Sequence, residues 1–99
     1  MNIFFKTPQE MSLQLAGKLK ALRLSKKWKQ STLAKRSGVT QASLRRFEQT
    51  GKISMENFLK LIHALGRLDE MESLMERPAV KSLNDLRAME GHTAKRGSI

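Results

Sequence analysis

The stretch Gln30–Glu48, QSTLAKRSGVTQASLRRFE, decides the fold. Its first eight residues, Gln30 to Ser37, predict a short helix with Leu33 and Ala34 on an inner face. Gly38 follows, the residue type that most easily takes the left-handed conformation ending a helix. Val39 then returns to the core, and Thr40 is a good N-cap for a second helix from Gln41 to about Gln49. On that helix Leu44 and Phe47 lie three apart and turn inward with Val39, while the small Ala34 lets the two helices cross closely. The outward positions are Gln41, Ala42, Ser43, Arg45 and Arg46. Amides and guanidiniums in such a row suit base edges and phosphates.

Helix, glycine-bearing turn and helix with a polar, basic outer face make a helix-turn-helix pattern. The plain alternative is a helical hairpin whose polar face is merely solvated. What favours a nucleic-acid reader is the joint occurrence of turn, N-cap, small crossing residue and amide-plus-arginine face.

Charge distribution points the same way. The 99 residues carry a formal net charge of +10. Residues 1–54 hold twelve Lys or Arg against two Glu, whereas residues 55–78 hold three against five. The positive field therefore sits on the half that carries the helix pair, where a polyanion would bind. Generic basicity would also suit RNA or a membrane surface, but five aromatic residues leave little stacking surface for single strands.

Length and composition bound the rest. One small domain with tails is expected, marginal alone and suited to a dimer or larger complex. The apolar set is rich in Leu and Met, with two Pro, which favours an all-α fold. No cysteine is present, so disulfides, thiol nucleophiles and thiolate metal sites are excluded. His63 and His92 have no metal-ligand spacing. No apolar run approaches the ~18 residues of a membrane span, and MNIFFK turns polar too quickly for a signal peptide. The expectation is a cytoplasmic, nucleoid-associated, non-enzymatic chain with no cofactor and no metal.

Around the central pair, three divisions are expected: an arm at residues 1–7, a helical domain at 8–77 and an extension at 78–99. The arm carries Ile3, Phe4 and Phe5, as a short strand or a cover for the core. Thr7-Pro8-Gln9-Glu10 is a complete helix start, with Thr7 as cap, Pro8 at the first position and Glu10 closing a capping box. The helix it opens should run to about Lys26, with Met11, Leu15, Leu19 and Leu22 on one face beside Ala16. Leu13 and Leu24 point to the far side, to be covered by the arm, by a partner or by nothing.

Lys26, Lys27 and Lys29 bracket Trp28, a core plug whose indole N–H is an alternative phosphate donor. The lysines are a solvated end or, at the start of the next helix, a phosphate clamp. Beyond the pair, Ser54 caps a fourth helix with Met55, Phe58, Leu59, Ile62 and Leu65 as its buried stripe and His63 at the surface. Arg67 to Glu76 should form a fifth helix, burying Leu68, Met71 and Leu74 or Met75 in the core or in a dimer. Pro78 stops it, a turn of helix through Leu83, Leu86 and Met89 follows, and the basic tail from Gly91 should be flexible.

Leu15 to Leu65, about half the chain, resembles the phage-repressor (XRE) helix-turn-helix domain. The landmarks are Arg23, Gln30, Leu33-Ala34, Gly38-Val39-Thr40-Gln41, Phe47-Glu48 and the later run Phe58–Gly66. Within that family, Thr7–Glu10, Thr40-Gln41-Ala42-Ser43 and the basic tail are similar to the HipB-like antitoxin of Hip-type toxin–antitoxin modules. That likeness implies a HipA-like serine/threonine kinase toxin as partner. The alternatives are a stand-alone phage-type repressor and a subunit mainly for protein interaction.

The resemblance implies a five-helix domain that binds a palindromic double-stranded DNA operator as a homodimer and represses its own operon. Gln41 would read a base edge, adenine being the best geometric partner for its amide. Ala42 and Ser43 would make smaller contacts, and Arg45 would reach guanine or phosphate. Phosphate contacts would come from Lys27, Lys29, Gln30, Thr40 and Arg46, with Gln30 alternatively supporting the reading helix. Arg23 and Glu48 would form a structural ion pair locking the first helix to the third. Lys29 departs from the family's small capping residue, which weakens the second helix's cap while adding a cation.

Overall fold

The computed structural model describes residues 6–78. They form five α-helices, α1 (Pro8–Ser25), α2 (Gln30–Ser37), α3 (Gln41–Thr50), α4 (Met55–Ala64) and α5 (Leu68–Glu72), with no strand among the described residues. The fold is the expected all-α, phage-repressor-like domain. The apolar arm at Ile3–Phe5, the helical turn through Leu83–Met89 and the tail from Gly91 lie outside the described residues.

Local chemistry accounts for the helix ends. The Glu10 amide donates to Thr7 Oγ1 at 3.0 Å, and the Thr7 amide donates to Glu10 Oε1 at 2.9 Å, completing the capping box ahead of α1. Thr40 and Ser54 cap α3 and α4 in the same way, accepting from the amides of Ser43 and Asn57. Lys29 makes no side-chain cap for α2, as its chemistry dictates. Gly38 closes α2 in the left-handed conformation, φ +81°.

The core is one cluster of Ala16, Leu19, Leu33, Val39, Leu44, Phe47, Leu61, Ile62 and Leu65. α1 packs mainly on α3, α2 on both α3 and α4, and α5 on α4. Leu33, Leu44 and Leu61 have no exposed surface, so the centre lies where α2, α3 and α4 meet. Burying each such side chain stabilises the fold by about 1.5–3 kcal/mol. Phe47 and Phe58 meet edge to face, 5.7 Å between centroids, tying α3 to α4.

Three sequence expectations need correction. α5 ends at Glu72 instead of Glu76, and only Met71 of its stripe packs against the core. Leu68, Leu74 and Met75 are exposed. Ser73 Oγ donates to the Glu70 carbonyl, competing with helix continuation, and acids near a helix C-terminus oppose its dipole. Met11 and Leu15 are exposed as well. In α4 the deepest residue is Leu61, outside the expected stripe, while Met55 is 69% exposed. An apolar arc that wide leaves the choice of inner face to the neighbours, and Leu61 is the residue that enters the core cluster.

Candidate nucleic-acid interface

The rear of α3 is held by one buried arginine. Arg23 Nε donates to Glu48 Oε2 at 2.8 Å and Arg23 Nη2 donates to Glu48 Oε1 at 3.0 Å, a bidentate pair between α1 and α3. The two side chains are 7% and 3% exposed. Arg23 Nη1 donates to the Trp28 carbonyl at 2.8 Å, which fixes the α1–α2 turn to the same group. Gln30 Nε2 donates to Glu48 Oε1 at 2.9 Å, bringing the start of α2 into the network. No buried side-chain polar atom among the described residues lacks a partner.

Burial alone would raise the Glu48 carboxyl. The hydrogen bonds from Arg23 and Gln30, with the charges of Arg23 and Lys20, outweigh it and hold the group below its ordinary value. Glu48 is therefore a carboxylate throughout the neutral range, and the pair is fully charged where it is most buried.

With its rear fixed, α3 turns Gln41, Ala42, Arg45 and Arg46 outward, all exposed. Ser43 is half-buried, its backbone amide donating to Thr40 Oγ1 at 3.1 Å and its Oγ accepting from the Thr40 hydroxyl at 2.9 Å. The two hydroxyls are thus engaged with each other at the cap, and the groups standing free on the face are the Gln41 amide and the two guanidiniums. Arg45 and Arg46 form no ion pair among the described residues.

Lys27 and Lys29 are exposed on the turn leading into α2. Lys27 is the one non-glycine among the described residues with positive φ, +59°. The turn closes through its own amides, Lys27 to Leu24 at 2.9 Å and Trp28 to Arg23 at 3.2 Å. Trp28 is half-buried against the core instead of plugging it fully. Its ring is flanked by Lys26 Nζ at 5.3 Å and the Arg36 guanidinium at 4.5 Å. The position of Trp28 between lysines hinted at its packing, but the arginine eight residues on and the use of its carbonyl by Arg23 had no periodic signal.

Gly51 is the C-cap of α3, and its contact with α1 has no signal in the sequence. Its φ is +75°, and an added Cβ would lie 2.9 Å from the α1 backbone at both Leu13 N and Ser12 C. Two constraints coincide there: the left-handed turn needs glycine, and α1 leaves no space for a side chain.

His63 is exposed, and no cluster of metal-ligating side chains occurs among the described residues. No helix among them is long and apolar enough to cross a membrane. Comparison with curated proteins finds no match. A family model described as helix-turn-helix matches residues 19–71, from the middle of α1 through α5. The matched span contains the turn, the Arg23–Glu48 seam and the whole exposed face of α3, and the chain belongs to the XRE-type helix-turn-helix family of DNA-binding transcription regulators.

Proposed function

We propose that this regulator is a sequence-specific repressor that places α3 in the major groove of a palindromic operator as a homodimer. The observation that carries the reading is the exposed row Gln41, Ala42, Arg45 and Arg46 on a helix whose rear is locked by a buried bidentate ion pair. Gln41 reads a base edge, Arg45 reaches guanine or phosphate, and Arg46, Lys27 and Lys29 hold the backbone. Gln30 serves through Glu48, as its 2.9 Å bond supports. Ala42 and Ser43 add close contacts at the start of the helix, and Thr40 fixes that start. Repression follows from occupancy, with no chemistry by the protein itself.

Selection of bound duplexes from a random pool at ~150 mM salt tests this directly. An enriched inverted repeat supports a dimeric reader, with half-sites about one helical turn apart. Binding without enrichment would reject base reading and leave charge alone.

A role as the antitoxin of a HipA-like kinase is a second reading. The observation that favours a protein partner is the open apolar groove of about 290 Å³ lined by Leu15, Met55, Phe58, Met71 and Leu74. Homodimer formation draws on the same surface. Co-purification from the native host that recovers no kinase would reject the antitoxin role and leave the repressor intact.

A further inference from the structure

We infer that the hollow between α1 and α5 is a docking site for residues 82–90 of the same chain, which seat in it as a short helix. The hollow, about 260 Å³, is lined by the apolar residues Leu15, Leu22, Phe58, Ile62 and Met71. Leu15 is 40% exposed, and Leu22, Phe58 and Met71 are only half-buried. Its two sides carry opposite charges, Lys18 from α1 and Glu70 from α5. Lys18 forms no ion pair among the described residues, and Glu70 is paired with Arg67 at the surface. Such a site suits an apolar ridge flanked by one acid and one base.

The sequence just beyond the described residues supplies that ridge. Leu83, Leu86 and Met89 recur at every third position, which places them on one side of a helix. Ser82 and Asp85 have the spacing of a helix start. From Leu83 to Met89 the ridge would be about 9 Å long, and Leu15 to Leu22 spans about 10 Å of α1 at the same rise. At about 100° per residue, Asp85 and Arg87 fall on opposite flanks of the ridge. Laid in one direction, the helix therefore brings Asp85 to Lys18 and Arg87 to Glu70. Met71 in the hollow and Ser82 are eleven residues apart, a short tether that holds the segment nearby at a concentration on the order of millimolar. A second copy fits less well, because a two-fold axis sets the same concavity against itself and leaves it unfilled. Ile3, Phe4 and Phe5 are successive, so an extended arm would turn one of them away. The larger hollow at Met55 and Leu74 lies alongside and stays open to a protein partner.

The test uses cysteine pairs in the full chain, which has no thiol of its own. Under mild oxidation, Lys18→Cys with Asp85→Cys should form a disulfide within one chain several-fold faster than Lys18→Cys with Arg87→Cys. Gln41→Cys with Asp85→Cys, on the far face of the domain, sets the background rate of a tethered thiol. Adding Leu86→Asp to the Lys18 and Asp85 pair should return its rate to that background, because the seat depends on the apolar ridge. A rate for Lys18 and Asp85 no higher than background, or one that Leu86→Asp leaves unchanged, would overturn the inference. A disulfide that joins two chains instead of closing within one would also overturn it and give the hollow to a second copy. Faster closure with Arg87 than with Asp85 would contradict the charge-matched direction.

Discussion

The two sides of α1 are built to different standards. Toward α3, Arg23 meets Glu48 in a bidentate pair, and Gly51 touches backbone with no room for a methyl group. Toward α5, Leu15 faces an open groove with Met55 and Leu74, and Met75 stands 90% exposed. The first side positions α3, the helix that carries the proposed reading residue Gln41. The second leaves apolar side chains exposed among the described residues. The close packing in this domain is concentrated behind the exposed face of α3.

The largest expected effect comes from cutting the rigid side. Glu48→Ala leaves the Arg23 guanidinium buried and half-partnered, a change that costs about 3–5 kcal/mol. A domain of this size has roughly 5–10 kcal/mol in total, so the urea midpoint should fall by a third or more. A loss below ~1 kcal/mol would mean the pair is solvated and the comparison is wrong. Gly51→Ala acts on the same seam through the backbone. A left-handed alanine costs about 1–2 kcal/mol, and the contact with α1 adds about 1–3 kcal/mol. Thermal unfolding of this variant should be lowered clearly, with operator affinity falling alongside.

Acid sharpens the same contrast. Glu48 is held below its ordinary value of 4.5, so its contribution is complete above that pH and disappears as pH falls through the lower folded value. The wild-type midpoint should be flat from about pH 5 to 7 and drop below about pH 4.5, and Glu48→Gln should reduce that drop. Glu10, lowered by the Thr7 amide and hydroxyl, and Glu70, lowered by its hydrogen bonds from Arg67, act in the same direction, both exposed. On the open side the smallest effect is expected. Leu74→Ser and Met75→Ser should shift stability by no more than about 0.5 kcal/mol, as surface changes do. A large loss from either would show that the segment after α5 contributes more to the core than its exposure indicates.

The same divide governs what could be read from residues alone. Caps and turns are local, so Thr7–Glu10, Gly38, Thr40 and Ser54 announced the helix ends correctly. Leu33, Val39, Leu44 and Phe47 were legible because α2 and α3 are short and each has a single apolar side. Where α1 and α4 carry apolar residues on wide arcs, periodicity names candidates and the neighbours choose among them. Leu61 was passed over and Met55 included for that reason. α5 was drawn too long because Leu74 and Met75 continue a helical spacing that Ser73 and the surrounding acids interrupt. The close approach of Gly51 to α1 was invisible, since it depends on a backbone distant in sequence, and nothing periodic marks the Trp28 carbonyl as the partner of the Arg23 side chain.

The measurement that bears most directly on the account is the affinity of Gln41→Ala for the selected operator and for a random duplex, at ~150 mM salt. The substitution should lose ~1–3 kcal/mol on the operator, relax preference at one base position and leave random-duplex binding unchanged. Its thermal midpoint should match the wild type, because Gln41 is exposed and outside the Arg23–Glu48 network. Equal losses on operator and random duplex would contradict the claim that α3 reads sequence from a rigid seat.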